Sequence, residues 1–499
     1  MPTSAHAMKT AETAAIPGQK QYLTRGTGAY RRASLALFLS GFSTFSLLYC
    51  VQPLLPIFSQ QFSVSPAESS LSLSLSTGFL AVAIVCAAAV SEGLGRRSLM
   101  SISLVGAALL TIATAFAPNW HLLLVIRALQ GLVLGGVPAV AMAYLAEEID
   151  PRGLGATMGL YVGGTAFGGM SGRVLTGIFA EYLTWRPALF LIGAIGLAPA
   201  IGFIALLPPS RNFVRRPGFD PRFHAKAWLG HLSNPALPFI FAIAFLAMGS
   251  FVTIYNYAGF RLVAPPYGLN QTELGLIFTV YLFGIGASSI GGLLGDRIGH
   301  FSVLLFGLAL TAAGSALTLF ASLPVIILGI IVLTTGFFMS HSIASGLVGK
   351  LAHGTKGHAS SLYMLAYYVG SSLMGSAGGW FFAVEGWVAV VIFTLAMLGL
   401  ASPPVLPSNS RGEKHDPHRP SRPSRADRRR YRHQLRFLFP HPRHVGRNLC
   451  GEPQGAEIRR AEDQPAPGRP RIRSQGATSH TRLRRPLLHR RDTACRCHR

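Results

Sequence analysis

Gly295-Asp296-Arg297-Ile298-Gly299-His300 restates Ser91-Glu92-Gly93-Leu94-Gly95-Arg96 after 204 positions, with the acid and one glycine in register. Each copy closes a long apolar run. Further on the offset barely moves: Tyr161 answers to Tyr363, Gly168 to Gly370 and Trp185 to Trp387, each 202 positions later. A near-constant offset across several apolar runs marks an internal duplication.

Outward from these loops the chain is a succession of apolar runs with short polar connections. A helix needs about 20 apolar residues to cross the hydrocarbon core of a bilayer. Runs of that length lie near 34–58, 70–91, 98–117, 120–144, 155–180 and 186–207, and again near 236–260, 273–295, 301–321, 323–345, 358–382 and 386–403. One connection, 208–235, is long and holds Arg211, Arg215, Arg216, Arg222 and Lys226. The predicted fold class is an all-α polytopic membrane protein of about twelve transmembrane helices in two six-helix pseudo-symmetric halves. The halves are 34–207 and 236–403; the remainder is a cytoplasmic N-terminal segment 1–33, a cytoplasmic central loop 208–235 and an Arg/Pro-rich disordered tail 404–499.

Composition agrees. Of 499 residues 13% are charged and 50% hydrophobic, with a mean hydropathy of +0.40; an ordinary soluble domain carries about 25% charged residues. A soluble enzyme, a disulfide scaffold and a disordered regulator are thereby excluded. The net charge of +25 is uneven: residues up to Pro404 carry +9, and the last 95 carry +16. That tail cannot bury enough apolar surface to fold alone. It reads first as a non-native or weakly selected segment, then as a membrane-surface anchor, with no nucleic-acid partner expected. Cys50 and Cys86 lie in apolar runs and Cys450, Cys495 and Cys497 in the tail, a spacing that matches neither a disulfide framework nor a zinc site. No metal or cofactor is expected, and no G-x-x-x-x-G-K-[ST] loop for ATP is present.

Loop cations set the expected orientation, because they are retained in the cytoplasm. With a cytoplasmic N-terminus, sixteen cations fall on that side, among them Arg31, Arg96, Arg152, Arg211, Arg297 and Lys350, against Arg186 and Arg261 opposite. Both termini are therefore expected in the cytoplasm, with the protein multi-pass in a cell inner membrane. No apolar signal core precedes Arg31, so the first span is expected to direct insertion.

On these residues the chain resembles the major facilitator superfamily, whose members are built from two six-helix halves. The superfamily's loop signature, G-x-x-x-D-R-x-G-R/K-R/K, appears at Gly292, Asp296, Arg297 and Gly299, followed by His300. In the first copy Ala88 stands for glycine, Glu92 for aspartate and Gly93 for arginine, while Gly95 and Arg96 are kept. The fourth-helix signature R-x-x-Q-G appears as Arg127-Ala128-Leu129-Gln130-Gly131, and Gly159 to Gly172 is similar to the glycine-rich fifth helix of the antiporter branch, without its Gly-Pro pair. Leu48-Tyr49-Cys50-Val51-Gln52-Pro53-Leu54-Leu55-Pro56 is similar to the bacterial sugar- and drug-efflux branch. The resemblance implies a secondary transporter rather than an enzyme. It implies a latch at Glu92, Gly95, Arg96, Gly292, Asp296, Arg297 and Gly299 that holds the outward-open state, and a part for Arg127 in proton coupling. Physically, a carboxylate at a helix boundary can accept N–H bonds at the start of a neighbouring helix, and the glycines permit a tight turn. That these charges only fix topology stays open.

Arg127 and Arg173 are the only cations inside spans. A charge at that depth is costly and suggests function. Each lies roughly 10–12 Å below the outer boundary at 1.5 Å per residue, so the two are expected to share a water-filled vestibule; the plainer alternative is that each caps carbonyls or Gln130 at a packing defect. No span carries a central Asp or Glu, the groups whose pKa desolvation lifts toward neutrality. His341 has an ordinary pKa near that range and is the remaining titratable candidate, with hydrogen-bonded packing as its alternative. Two buried cations without buried anions point toward an anionic solute. Gln52, Asn256, Tyr363 and Tyr367 are the candidate cavity residues, polar groups in otherwise apolar spans. Gly131 with Gly135, and Gly164, Gly168 and Gly172, recur at helical spacing and predict close helix packing, either static or where halves slide.

The sequence reading is a monomeric secondary transporter in the lipid bilayer that exports a small organic solute in exchange for protons. Uptake on the same fold, or a non-transporting receptor or scaffold, are the alternatives.

Overall fold

The computed structural model describes residues 22–213, 221–352 and 354–402. The first half begins with α1 (Gly28–Tyr49), which breaks into a short 3-10 turn at Gln52–Leu54 and resumes as α2 (Leu55–Phe62). Pro53 and Pro56, which lack N–H donors, fall at this break. Then follow α3 (Pro66–Leu94), α4 (Arg96–Ala115), α5 (Trp120–Leu134), α6 (Pro138–Glu148), α7 (Pro151–Tyr182) and α8 (Trp185–Leu206). The second half contains α10 (Leu237–Val263), α11 (Gln271–Leu276), α12 (Tyr281–Ile298), α13 (His300–Leu317), α14 (Leu323–Leu351) and α15 (Lys356–Ala401), and α9 (Pro221–Leu232) lies between the halves.

Helix starts follow their caps. Ser65 accepts from Glu68 N while Glu68 accepts from Ser65 N, and Asn270 and Glu273 repeat this box at α11. Among the described residues ten helical segments are long and apolar enough to cross a membrane. One of them, Lys356–Ala401, leaves helical geometry at Glu385 and Gly386 and makes two crossings. The glycine-rich α7, 32 residues long, falls short on hydropathy but has the length. Counted this way, the described residues hold about twelve candidate spans. Large apolar side chains such as Ile102, Val125, Ile201, Leu293 and Ile392 are more than half exposed on the outside of the bundle, as lipid contact requires and water does not tolerate over so wide a surface. Among the described residues the only β pairing is an isolated bridge of Leu23 with Ile149.

The central segment 208–235, expected as loop, contains α9. This helix docks on the start of α15: the His224 and His358 rings share a hydrogen bond at 2.9 Å, and Trp228 Nε1 donates to Ser361 Oγ at 3.4 Å. Its aromatic residues, hidden among the basic ones, are what make docking favourable.

Within the halves α1 packs on α7 and α8, α3 on α5, α10 on α15, and α13 on α14. Across them α3 meets α15 and α7 meets α11. Among the described residues the hydrogen bonds between halves are four: Gln52 Nε2 to Asn256 Oδ1 at 2.7 Å, Ser372 Oγ to the Ser74 carbonyl at 2.7 Å, Ser70 Oγ to Ser376 Oγ at 3.4 Å, and Gln271 N to Glu181 Oε2 at 2.7 Å. All lie toward the end of the bundle that holds Asn119 and Glu181, called here the far face, away from the end that holds Arg96 and Arg297. Gly177 and Gly275 touch backbone to backbone at the same end.

Candidate functional site

The repeated loops take the same shape in both halves. Gly95 has φ +90° and Gly299 φ +97°, a left-handed region that a residue with a Cβ enters only at a cost. Their charges behave differently. Arg96 donates to both carboxylate oxygens of Glu147, at 2.9 and 3.3 Å, and to Ser91 Oγ, joining α4 to α6 inside the first half. Asp296 is exposed and among the described residues meets only His300, at 3.5 Å and one turn away, and Lys350 Nζ donates to His300 Nε2 at 2.7 Å. Arg297 is exposed, and Gly292 has open space where a side chain would be. The side chain of Glu92 lies outside the described residues. In this conformation the loop residues therefore bind within their own halves.

The two buried arginines do not line a wet vestibule. Arg127 is fully enclosed: Nε donates to Ser72 O at 2.9 Å, Nη2 to Leu48 O at 2.6 Å, Nη1 to Leu47 O at 3.3 Å and to Gln130 Oε1. Gln130 adds bonds to Leu47 O and Thr111 Oγ1. The carbonyls of Leu47 and Leu48 lie just before the proline-bearing break, where regular i to i−4 donors run out, and the guanidinium fork supplies them. This is the carbonyl-capping arrangement. Arg173, 2% exposed, grips the same break from the other side. Its Nε donates to Gln52 Oε1 at 2.6 Å and its Nη1 to Gly169 O at 2.7 Å, while the rings of Tyr49, Phe278 and Tyr281 surround it at 4.2–5.0 Å.

The four expected cavity residues separate into two places. Gln52 and Asn256 bond across the seam between halves. Tyr363 and Tyr367 instead meet His341 in the second half: the Tyr363 hydroxyl and His341 Nδ1 are 2.9 Å apart, and the His341 and Tyr367 rings lie 4.7 Å centre to centre. With Ile243, Ala247 and Phe337 they line a small cleft. His341 thus has both a hydrogen-bond partner and a cleft wall to serve.

The glycine stripes are internal seams. Gly164, Gly168 and Gly172 lie on the backbone of Phe38, Phe42 and Ser46, joining α7 to α1; Gly131 and Gly135 lie on Ser76 and Ala83, joining α5 to α3. Both join helices of one half, so neither is a sliding surface between halves. The contact between halves at Gly177 and Gly275 carries no sequence signal, because neither glycine falls at the i+4 spacing of the stripes.

A duplicated bundle with polar groups buried between its halves is the architecture of a membrane transporter. The sequence profile of the Major Facilitator Superfamily matches residues 35–261 and 246–442. The chain belongs to this superfamily. It is 43% identical over 380 residues to the uncharacterized MFS-type transporter YybF of Bacillus subtilis, covering 76% of this chain and 94% of that one. It is also 43% identical over 386 residues to the inner membrane transport protein YnfM of Escherichia coli, covering 77% and 92%. Among solved structures, the nucleoside transporter NupG aligns with a TM-score of 0.63 at 13% identity over 74% of this chain and 98% of that one. A bacterial homologue of the lysosomal transporter Spinster, inward-facing and unoccupied, aligns with a TM-score of 0.57 at 14% identity over 75% and 93%. These are transporters, not enzymes, and the protein is a multi-pass membrane transporter of this type.

Proposed function

We propose that the chain exports a small organic solute, sugar-like or drug-like, across a bacterial inner membrane in exchange for protons, as a monomer with both termini in the cytoplasm. The observation that carries the alternating-access reading is the placement of all four bonds between halves at the far face. A bundle closed at one end by few polar contacts is poised to rock about its middle. The cation count across the loops supports the cytoplasmic termini. For the branch and direction, support comes from the Leu48–Pro56 stretch and from 28% identity over 291 residues to the multidrug resistance protein MdtG of Proteus mirabilis. In the absence of a carboxylate midway along any span, His341 with Tyr363 is the proton-binding candidate. Asp296 and Arg297 are free to latch the opposite end when the far face opens.

The test is flux of a substrate panel in proteoliposomes under an imposed pH gradient. Uphill solute movement that reverses with the gradient is expected. Absence of flux for every compound, or flux indifferent to the gradient, overturns the transport or the coupling reading respectively. Cysteines at positions 119 and 211 should label from opposite sides of the membrane, and labelling from one side refutes the topology.

A further inference from the structure

Arginine can only donate hydrogen bonds. Because Arg173 Nε donates to Gln52 Oε1, the Gln52 amide must turn its nitrogen to Asn256, and Asn256 must present its oxygen. The relay Arg173 to Gln52 to Asn256 therefore has a fixed direction and ends in an N–H donor. That donor, Asn256 Nδ2, is buried with no acceptor, and Ser74 Oγ is likewise buried and unpartnered. Both face one place. A Cβ built on Gly375 would lie 3.1 Å from Val252 Cγ1, 3.3 Å from Asn256 Nδ2 and 3.8 Å from Ser74 Oγ, so the place is closely packed with the seam joined and admits a ligand only as these side chains give way. Ser74 belongs to the first half and Asn256 to the second, so two unsatisfied polar atoms converge across the seam on a position with no side chain.

The duplication explains the glycine. Gln52 and Asn256 are 204 positions apart, as are the two loop acids, so each is the other's counterpart. Gly375 follows Arg173 by 202, the offset of Tyr161 and Tyr363 in the same pair of helices. Where the first half sets a guanidinium against its amide, the second sets a glycine. No carboxylate pairs with Arg173 or Arg127 among the described residues. The site thus combines a demand for an acceptor with positive charge one amide away.

We propose that this is the head-group subsite for the solute and that it takes a carboxylate, one oxygen accepting from Asn256 Nδ2 and Ser74 Oγ beside Gly375 with Arg173 as the nearby countercharge. The inference rests on the transporter reading and narrows its solute to an organic acid. Contact with both halves at once makes binding sensitive to how the seam is closed.

The purified full chain in lipid nanodiscs is titrated with benzoate, hexanoate and lactate, and with their methyl esters, by equilibrium dialysis. At least one acid is expected to bind saturably and its ester at least tenfold more weakly. Gly375→Ala, which places a methyl group in the subsite, and Asn256→Leu are each expected to weaken that acid tenfold or more. Gly346→Ala, at a position open to 4 Å on every side, should leave binding unchanged, and unfolding midpoints near wild type certify that the variants fold. Arg173→Gln should reduce the preference for acid over ester. Binding by none of the three acids, equal binding of acid and ester, or wild-type affinity in both seam variants overturns the proposal. So does a structure at saturating acid with only water on Asn256 Nδ2. Binding is read without flux: a chain that binds the acid but moves nothing refutes the transporter reading alone, and one that moves solute but ignores the acids refutes this proposal alone.

Discussion

Replacing Arg127 by methionine keeps much of the side-chain volume and removes the guanidinium. Three main-chain carbonyls lose a donor: Ser72, Leu47 and Leu48. Leu47 keeps the Gln130 amide at 3.2 Å and Ser72 the Ser76 hydroxyl at 3.3 Å, so the buried acceptors left orphaned by this change are two, Leu48 O and Gln130 Oε1. At about 1–3 kcal/mol for each unsatisfied buried acceptor, the loss centres on about 4 kcal/mol. Removing a buried charge that has no carboxylate partner returns part of this, and the net destabilisation expected is about 2–4 kcal/mol. Reversible unfolding in bicelles, followed by helicity against added dodecyl sulfate, measures it. Arg127→Lys keeps the charge but offers one compact ammonium in place of a fork, and should recover less than half the loss. If Arg127→Met costs under ~1 kcal/mol yet abolishes transport, the arginine is a coupling group and not a clasp on the break in the first span.

The Arg96–Glu147 pair, with side chains 11% and 29% exposed, should show a coupling of about 1 kcal/mol or less in a double-mutant cycle, smaller at high salt; a coupling that salt does not change would refute this. Gly168→Val drives a side chain into the backbone of Phe42 and should cost about 3 kcal/mol or more, read in the same unfolding assay, whereas Gly292→Val, in open space, should cost under ~1 kcal/mol. Cysteines replacing Ser70 and Ser376, whose hydroxyls bond across the seam at 3.4 Å, should crosslink under oxidant and stop solute flux until reduced. Crosslinked protein that still transports would show that the far face does not part.

The twelve spans were legible because lipid demands length and apolarity over every crossing, and the duplication fixed how they group. The linking helix α9 was not, since its aromatic face is visible only beside α15, and the charge run masked it. Gln52 and Asn256 stood out as polar residues in apolar runs, but that they bond to each other depends on the crossing of α10 past the break after α1. The arginines show the limit most clearly. Burial of Arg127 was evident from its depth and capping of carbonyls or Gln130 was one of its two readings, yet carbonyls carry no sequence signature, so which of them it caps was invisible. Gly375 could have been found by carrying the 202-residue offset through to Arg173, a comparison that pays attention to what the second copy lacks.

The far-face seam has a modest strength. Interhelical hydrogen bonds in a bilayer average about 0.6 kcal/mol, so its four polar contacts hold about 2.4 kcal/mol. On that polar share alone the joined arrangement outnumbers the parted one by roughly 60 to 1. A cargo molecule preferring the parted arrangement by about 1,000-fold would leave it favoured by roughly 17 to 1, an affinity difference within reach of a single well-recognised functional group. A tightly welded closure would demand far more selectivity from its cargo than a small molecule can supply.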